Sequence, residues 1–135
     1  MPDHAHRVDG LTPGAYVLPR SESGEALLRQ HIQAGTAWSA VAEAPPGLPL
    51  WRLAEHPALA GALRTLSCHQ AIGSDAGFAL SLLAEFAGPI QRDAALYRAV
   101  LREAGLIGQA LYLGAEAEGL RGTGIGCYFD DAVHE

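Results

Sequence analysis

Apolar positions along the chain change period several times, and each change marks an element. Residues 1 to 23 read as an irregular entry: Leu11-Thr12-Pro13-Gly14 has the Pro-Gly pair of a turn, and Ala15-Tyr16-Val17-Leu18 follows as a strand stopped by Pro19. From Ser23-Gly24-Glu25 the spacing of Ala26, Leu27, Leu28 and Ile32 predicts a helix ending near Gly35. Trp38 to Ala44 has no clear period, and Ala44-Pro45-Pro46-Gly47 is a break. Leu48 to Leu53 reads as a short strand with Pro49 among its first residues.

Pro57 suits the first turn of a helix carried on by Ala58, Leu59, Ala62, Leu63 and Leu66. Ser67 to Ile72 either continues it or forms a second short helix ending near Gly73. Ala76 to Phe86 is almost continuously apolar, and its length and flanking turns favour a buried strand, with helix as the alternative. Gly88-Pro89 is expected to break it.

The longest element spans Asp93 to Glu118. Leu96, Val100, Ile107 and Leu111 share a stripe, and from Ala104 to Ala115 Gln109 is the one strongly polar residue. A helix apolar all round is expected to be enclosed, in a domain centre or a dimer seam. Gly105, Gly108 and Gly114 each cost up to about 1 kcal/mol of helix propensity, which a close-packed second backbone would justify. Gly119 is the expected residue just past the helix end. Irregular alternation of helices and strands points to an α+β fold.

Composition narrows the function. A chain of 135 residues, 49% hydrophobic and 18% charged, is one domain's worth of material and too apolar for a disordered tail. Nine cationic residues, all Arg, stand against 15 acidic ones, for a net charge of −6; without a basic stripe, nucleic acid is not an expected partner. No window approaches the roughly 18 apolar residues that span a bilayer, so no membrane partner is expected. Met1 to Gly10 is too polar for a signal-peptide core, which predicts a cytoplasmic protein. Two cysteines, Cys68 and Cys127, are too few for a disulfide framework and are expected as thiols.

The most informative segment is Gly119-Leu120-Arg121-Gly122-Thr123-Gly124-Ile125-Gly126-Cys127-Tyr128-Phe129-Asp130-Asp131. Glycines at 119, 122, 124 and 126 let bare amides approach a flat cofactor or a phosphate. The segment follows a helix, unlike the dinucleotide fingerprint, and lacks the Gly-Lys-Ser/Thr ending of a P-loop. The plainer reading is a helix cap and a tight turn into a strand, Ile125 to Phe129, with Asp130 or Asp131 capping a final helix.

These residues carry a resemblance. Ala104-Gly105-Leu106-Ile107-Gly108-Gln109-Ala110-Leu111-Tyr112-Leu113, Glu116-Ala117 and Thr123 to Asp131 resemble the C-terminal half of nitroreductase-like flavoproteins, nearest the SagB-type dehydrogenase branch, whose members include oxidases of peptide azolines. Leu66 to Gln70, Phe78 to Leu80 and His6 to Tyr16 resemble the same branch. The resemblance implies a single, partial nitroreductase-like domain over residues 1–135, incomplete at both ends, with a long buried central helix packed on an antiparallel or mixed sheet. It implies an FMN-dependent oxidoreductase working as a homodimer, with flavin at the subunit interface and the helix in the dimer centre.

Cofactor contact would fall on Thr123, Gly124, Ile125, Gly126 and Cys127, with the amide of Gly126 or Cys127 reaching the N5/O4 edge of the ring. Hydride arriving at N5 leaves negative charge on the ring, which fixed amide dipoles stabilise. A small-molecule or peptide substrate is implied, with NAD(P)H as a possible donor; no catalytic side chain is assigned. The azoline-oxidising members use a Lys-Tyr pair, and this chain contains no Lys. Family members open with an Arg-Ser-rich segment that holds the FMN phosphate, a segment this chain is expected to lack. The alternative is a non-catalytic dimerising module of the same fold that does not bind flavin.

Other constellations have plainer readings. His4 and His6 form no metal site without a second cluster. Cys68-His69 with Cys127 could be a thiol–imidazole pair or simply buried residues. Asp130, Asp131, His134 and Glu135 read as a capped, solvated last turn, and Tyr97, Tyr112 and Tyr128 as packing aromatics. Gln109 is expected to be buried and bonded to a backbone group or a symmetry mate, and Gln70 to reach a flavin edge, cap a helix or make a core hydrogen bond.

Overall fold

The structure is a computed structural model that describes residues 8–33, 35–54 and 58–134. The chain is mixed α+β, with a small three-stranded antiparallel sheet and one long helix. It divides into two compact units, one of residues 1–79 with 129–135 and the other Leu80–Tyr128.

In the first unit, β1 (Ala15–Val17) and β2 (Ser39–Ala40) flank β3 (Trp51–Ala54), both antiparallel to it. Tyr16 is opposite Arg52 and Ala40 opposite Trp51. The expected strand at Leu48 to Leu53 thus starts later, because Leu48 is held in a turn by its N–H donating to the Pro45 carbonyl. The ambiguous stretch after Trp38 supplies the edge strand β2. Pro19, buried, follows β1 as expected.

Helix α1 (Glu22–His31) starts at Ser21, whose hydroxyl accepts the Gly24 N–H at 3.0 Å. Glu22 and Glu25 occupy its first turn and Arg29 and His31 its last, matching the helix dipole at both ends. Arg29 bonds Glu25 and lies over both tryptophans, 4.1 Å from the Trp38 ring centre and 4.9 Å from that of Trp51. The rings are 6.3 Å apart, so one cation ties α1 to the sheet.

Helix α2 (Leu59–Leu66) packs on α3 (Ala71–Asp75), so Ser67 to Ile72 is a turn leading into a second helix. Cys68 and His69 take left-handed φ of 52° and 60° in that turn, a strained conformation for residues with a Cβ. The His69 ring meets Phe129 edge-on at 5.7 Å, and the Phe129 N–H donates to the Leu66 carbonyl. Both contacts seat α6 (Asp130–His134) beside α2, with Asp130 and Asp131 in its first turn.

The second unit holds α4 (Ala87–Arg92) and α5 (Ala95–Ala117). Two sequence expectations fail here. Residues 77–86 form no regular element, and Phe78, Leu80, Leu82, Leu83 and Phe86 are exposed rather than buried in a strand. No residue of this Ala/Leu-rich run is β-branched, and a strand without a neighbour leaves its backbone polar groups unpaired. Gly88-Pro89 opens α4 instead of breaking the chain, because proline is tolerated in a first turn whose N–H groups have no intrahelical partner.

The long helix α5 forms as expected, 23 residues long, with the Asp93 carboxylate accepting the Ala95 N–H near its start. It ends in a Schellman motif: Gly119, at φ 69°, donates to Glu116, and Leu120 donates to Ala115. Within its own unit the helix is not buried. Val100 and Ile107 on the expected stripe are half-covered, while Leu101, Leu106, Leu111 and Leu113 are exposed. Gln109 is exposed too. A helix with apolar residues on every side needs more covering surface than α4 and one loop provide.

Candidate functional site: the glycine loop after the long helix

Leaving the Schellman motif, residues 120–129 run without regular structure into α6, so the expected strand at Ile125 to Phe129 is absent. Glycines at alternate positions weaken strand pairing, and these residues pair with no strand. Thr123, Gly124, Ile125, Gly126 and Cys127 all lie on this loop, exposed except for half-buried Ile125.

Tyr112 holds the loop to the long helix. The Gly124 N–H donates to the Tyr112 hydroxyl, which comes from α5 one turn before its end. A Cβ at Gly122 would stand 3.7 Å from the Tyr112 ring, and one at Gly124 would stand 3.4 Å from its hydroxyl oxygen, so the loop crosses Tyr112 at glycines. Thr123, Ile125 and Gly126 make no amide hydrogen bond among the described residues, and a Cβ at Gly126 would meet open space. The loop therefore presents backbone donors, and the Cβ position of Gly126 faces open space among the described residues.

Its electrostatics favour an uncharged acceptor. The preceding helix end is the negative pole of α5, with Glu116 and Glu118 beside it, and Arg121 is the loop's single cation.

The remaining sequence candidates fall elsewhere. Neither cysteine is a thiol: Cys68 and Cys127 are both disulfide-bonded, which removes the thiolate a thiol–imidazole pair would need. Tyr97 packs edge-on against Phe86 at 6.1 Å, and Tyr128 is exposed. The Gln70 side-chain amide donates to the Ser67 carbonyl at 3.0 Å, bracing the α2–α3 turn. His4, His6, the His134 side chain and Glu135 lie outside the described residues. Among the described residues no three His, Cys, Asp or Glu side chains gather as a metal site, and no helix is long and apolar enough to cross a membrane.

Sequence reasoning missed two features. Tyr112 read as a packing aromatic, because nothing local marks a partner that is 12 residues away. A cavity of about 250 Å³ beside the sheet, lined by Thr12, Tyr16, Ser39, Glu43 and Arg52 among others, exists only because strand pairing assembles three distant segments. No family model, curated protein or solved structure matches the chain.

Proposed function

We propose that this chain is an FMN-dependent oxidoreductase of the nitroreductase-like, SagB-type dehydrogenase kind, working as a homodimer paired along α5. The observation that carries this reading is that the amides of Thr123, Ile125 and Gly126 make no hydrogen bond among the described residues, beyond the end of a helix whose apolar residues lack cover in its own unit. Bound there, the flavin ring would supply hydride transfer with a small-molecule or peptide substrate, with NAD(P)H as donor. The chain's own part is to hold amide dipoles against the ring edge where charge accumulates, already oriented before reaction. Leu106 and Leu113, 72% and 62% exposed, would be covered by the second copy, whose presence also keeps water from the ring.

The uncovered faces of α5 equally support a dimerising module without chemistry, since they call for association whether or not flavin binds. One experiment separates the two readings: FMN titration followed by quenching of flavin fluorescence, with light scattering on the same sample. Dimer with saturable quenching supports the enzyme; dimer without quenching supports the module; monomer without quenching defeats both. The expected cytoplasmic location belongs to this reading as well, and the disulfide-bonded cysteines oppose it, because cytosolic reductants keep most protein thiols reduced.

A further inference from the structure

We propose that the cavity beside the sheet binds a small zwitterion, a free α-amino acid with an aliphatic side chain. Arg52 takes its carboxylate and Glu43 its ammonium group. The flavin reading is not needed for this: the described residues that line the cavity belong to the first unit, and Thr123 to Cys127 to the second.

Strand register builds the floor of the cavity. Tyr16 and Ser39 both pair with Arg52, so the three side chains form a row on one face of the sheet. Trp51, the next residue, faces the other way, where Arg29 of α1 lies over its ring. The Tyr16 hydroxyl donates to the Thr12 carbonyl, which draws the turn before β1 up as one wall. The Ala44 N–H donates to the Val41 carbonyl, and the turn it closes carries Glu43 as the other wall. Arg52 and Tyr16 are half-buried, and Glu43 is exposed.

Size and charge set the ligand class. At about 250 Å³ the cavity is below the range of about 300–1,000 Å³ that holds drug-sized molecules, so it suits an amino acid rather than a nucleotide. Arg52 and Glu43 are the charged side chains among the described residues that line it, and they come from separate segments. A dianion would be repelled by Glu43 and a simple cation by Arg52, whereas a zwitterion satisfies both. The planar guanidinium of Arg52 matches the two oxygens of a carboxylate. Leu11 and Val41, both half-buried, give apolar surface to an aliphatic side chain.

The test titrates the full chain with three probes and follows backbone amide shifts by NMR. L-leucine carries both charges, L-leucinamide lacks the carboxylate, and 4-methylpentanoate lacks the ammonium group. L-leucine should bind saturably with a dissociation constant of about 1 mM or tighter, moving the amides of Leu11, Thr12 and Val41. Each analogue should bind at least about tenfold more weakly. The analogues probe the Arg52 contact without disturbing the central strand, and Glu43→Gln, at an exposed position, probes the other charge. In that variant L-leucine should fall to the affinity of 4-methylpentanoate, with L-leucinamide weaker than both.

No saturable shift with L-leucine, or saturable shifts confined to residues outside the cavity, overturns the site. L-leucinamide binding as tightly as L-leucine overturns the carboxylate contact with Arg52. L-leucine that keeps its advantage over 4-methylpentanoate in Glu43→Gln overturns the ammonium contact. Each of these results is independent of whether the chain binds FMN.

Discussion

Gly73 lies beneath the carbonyl of Leu63: a Cβ there would stand 2.9 Å from that oxygen and 2.8 Å from the Ser67 hydroxyl. Helices α2 and α3 approach this closely only because residue 73 has no side chain. Gly73→Ala must push backbone aside, and overpacking of this kind costs about 1–3 kcal/mol. Thermal unfolding should show a drop of several degrees, and an unchanged midpoint would mean the two helices do not pack at this distance.

Arg29 offers a second check on the first unit. Arg29→Ala removes contacts to both tryptophans and the pair with Glu25, which together should cost about 1 kcal/mol at this partly exposed position. Because Trp38 and Trp51 are the chain's only tryptophans, their emission should also change. Emission identical to the parent's would contradict the stacking.

Gly126→Ala separates structure from ligand contact. A methyl group there meets nothing within 4 Å among the described residues and φ is not in the left-handed region, so stability should stay within about 0.5 kcal/mol of the parent. FMN affinity should fall by about tenfold, because the new Cβ stands in front of a donor. Undiminished affinity would move the ring away from this amide.

Leu106→Glu tests the uncovered helix. A charge at this exposed position disturbs nothing inside the chain but cannot be buried against a second copy without several kcal/mol of penalty, by order of magnitude. Light scattering should report a monomer with helix content unchanged by circular dichroism. A dimer that survives the substitution would place the seam elsewhere.

The cysteines give a chemical check. Protein denatured without reductant should show no reactive thiol, and after reduction both Cys68 and Cys127 should react. Two reactive thiols before reduction would restore the sequence-based expectation.

Local signals were legible where a hydrogen bond closes within a few residues. The start of α1 was read at Ser23 to Glu25 and lies at Ser21 to Glu25, and Gly119 was read correctly as the residue past α5. The run at residues 77–86 was misread because its apolar character reports only that something should cover it, while strand formation needs a neighbour that sequence does not name. The same limit applies to the central helix expected to be buried, whose leucines are exposed in its own unit. Hydrophobicity on all sides of Ala104 to Ala115 was visible, but whether this chain or another molecule covers it was not.

What the amino-acid order determined by itself is the α+β alternation, the 23-residue helix, its glycine stop and the run of bare amides beyond, since each depends on propensity and bonds between near neighbours. Tertiary structure alone decided that Tyr112 takes Gly124, that Arg29 spans two tryptophans, and that the cysteines are oxidised. Those pairings join residues brought together only when strands register and loops fold back, and the cost of closing each loop is met by contacts made elsewhere in the fold.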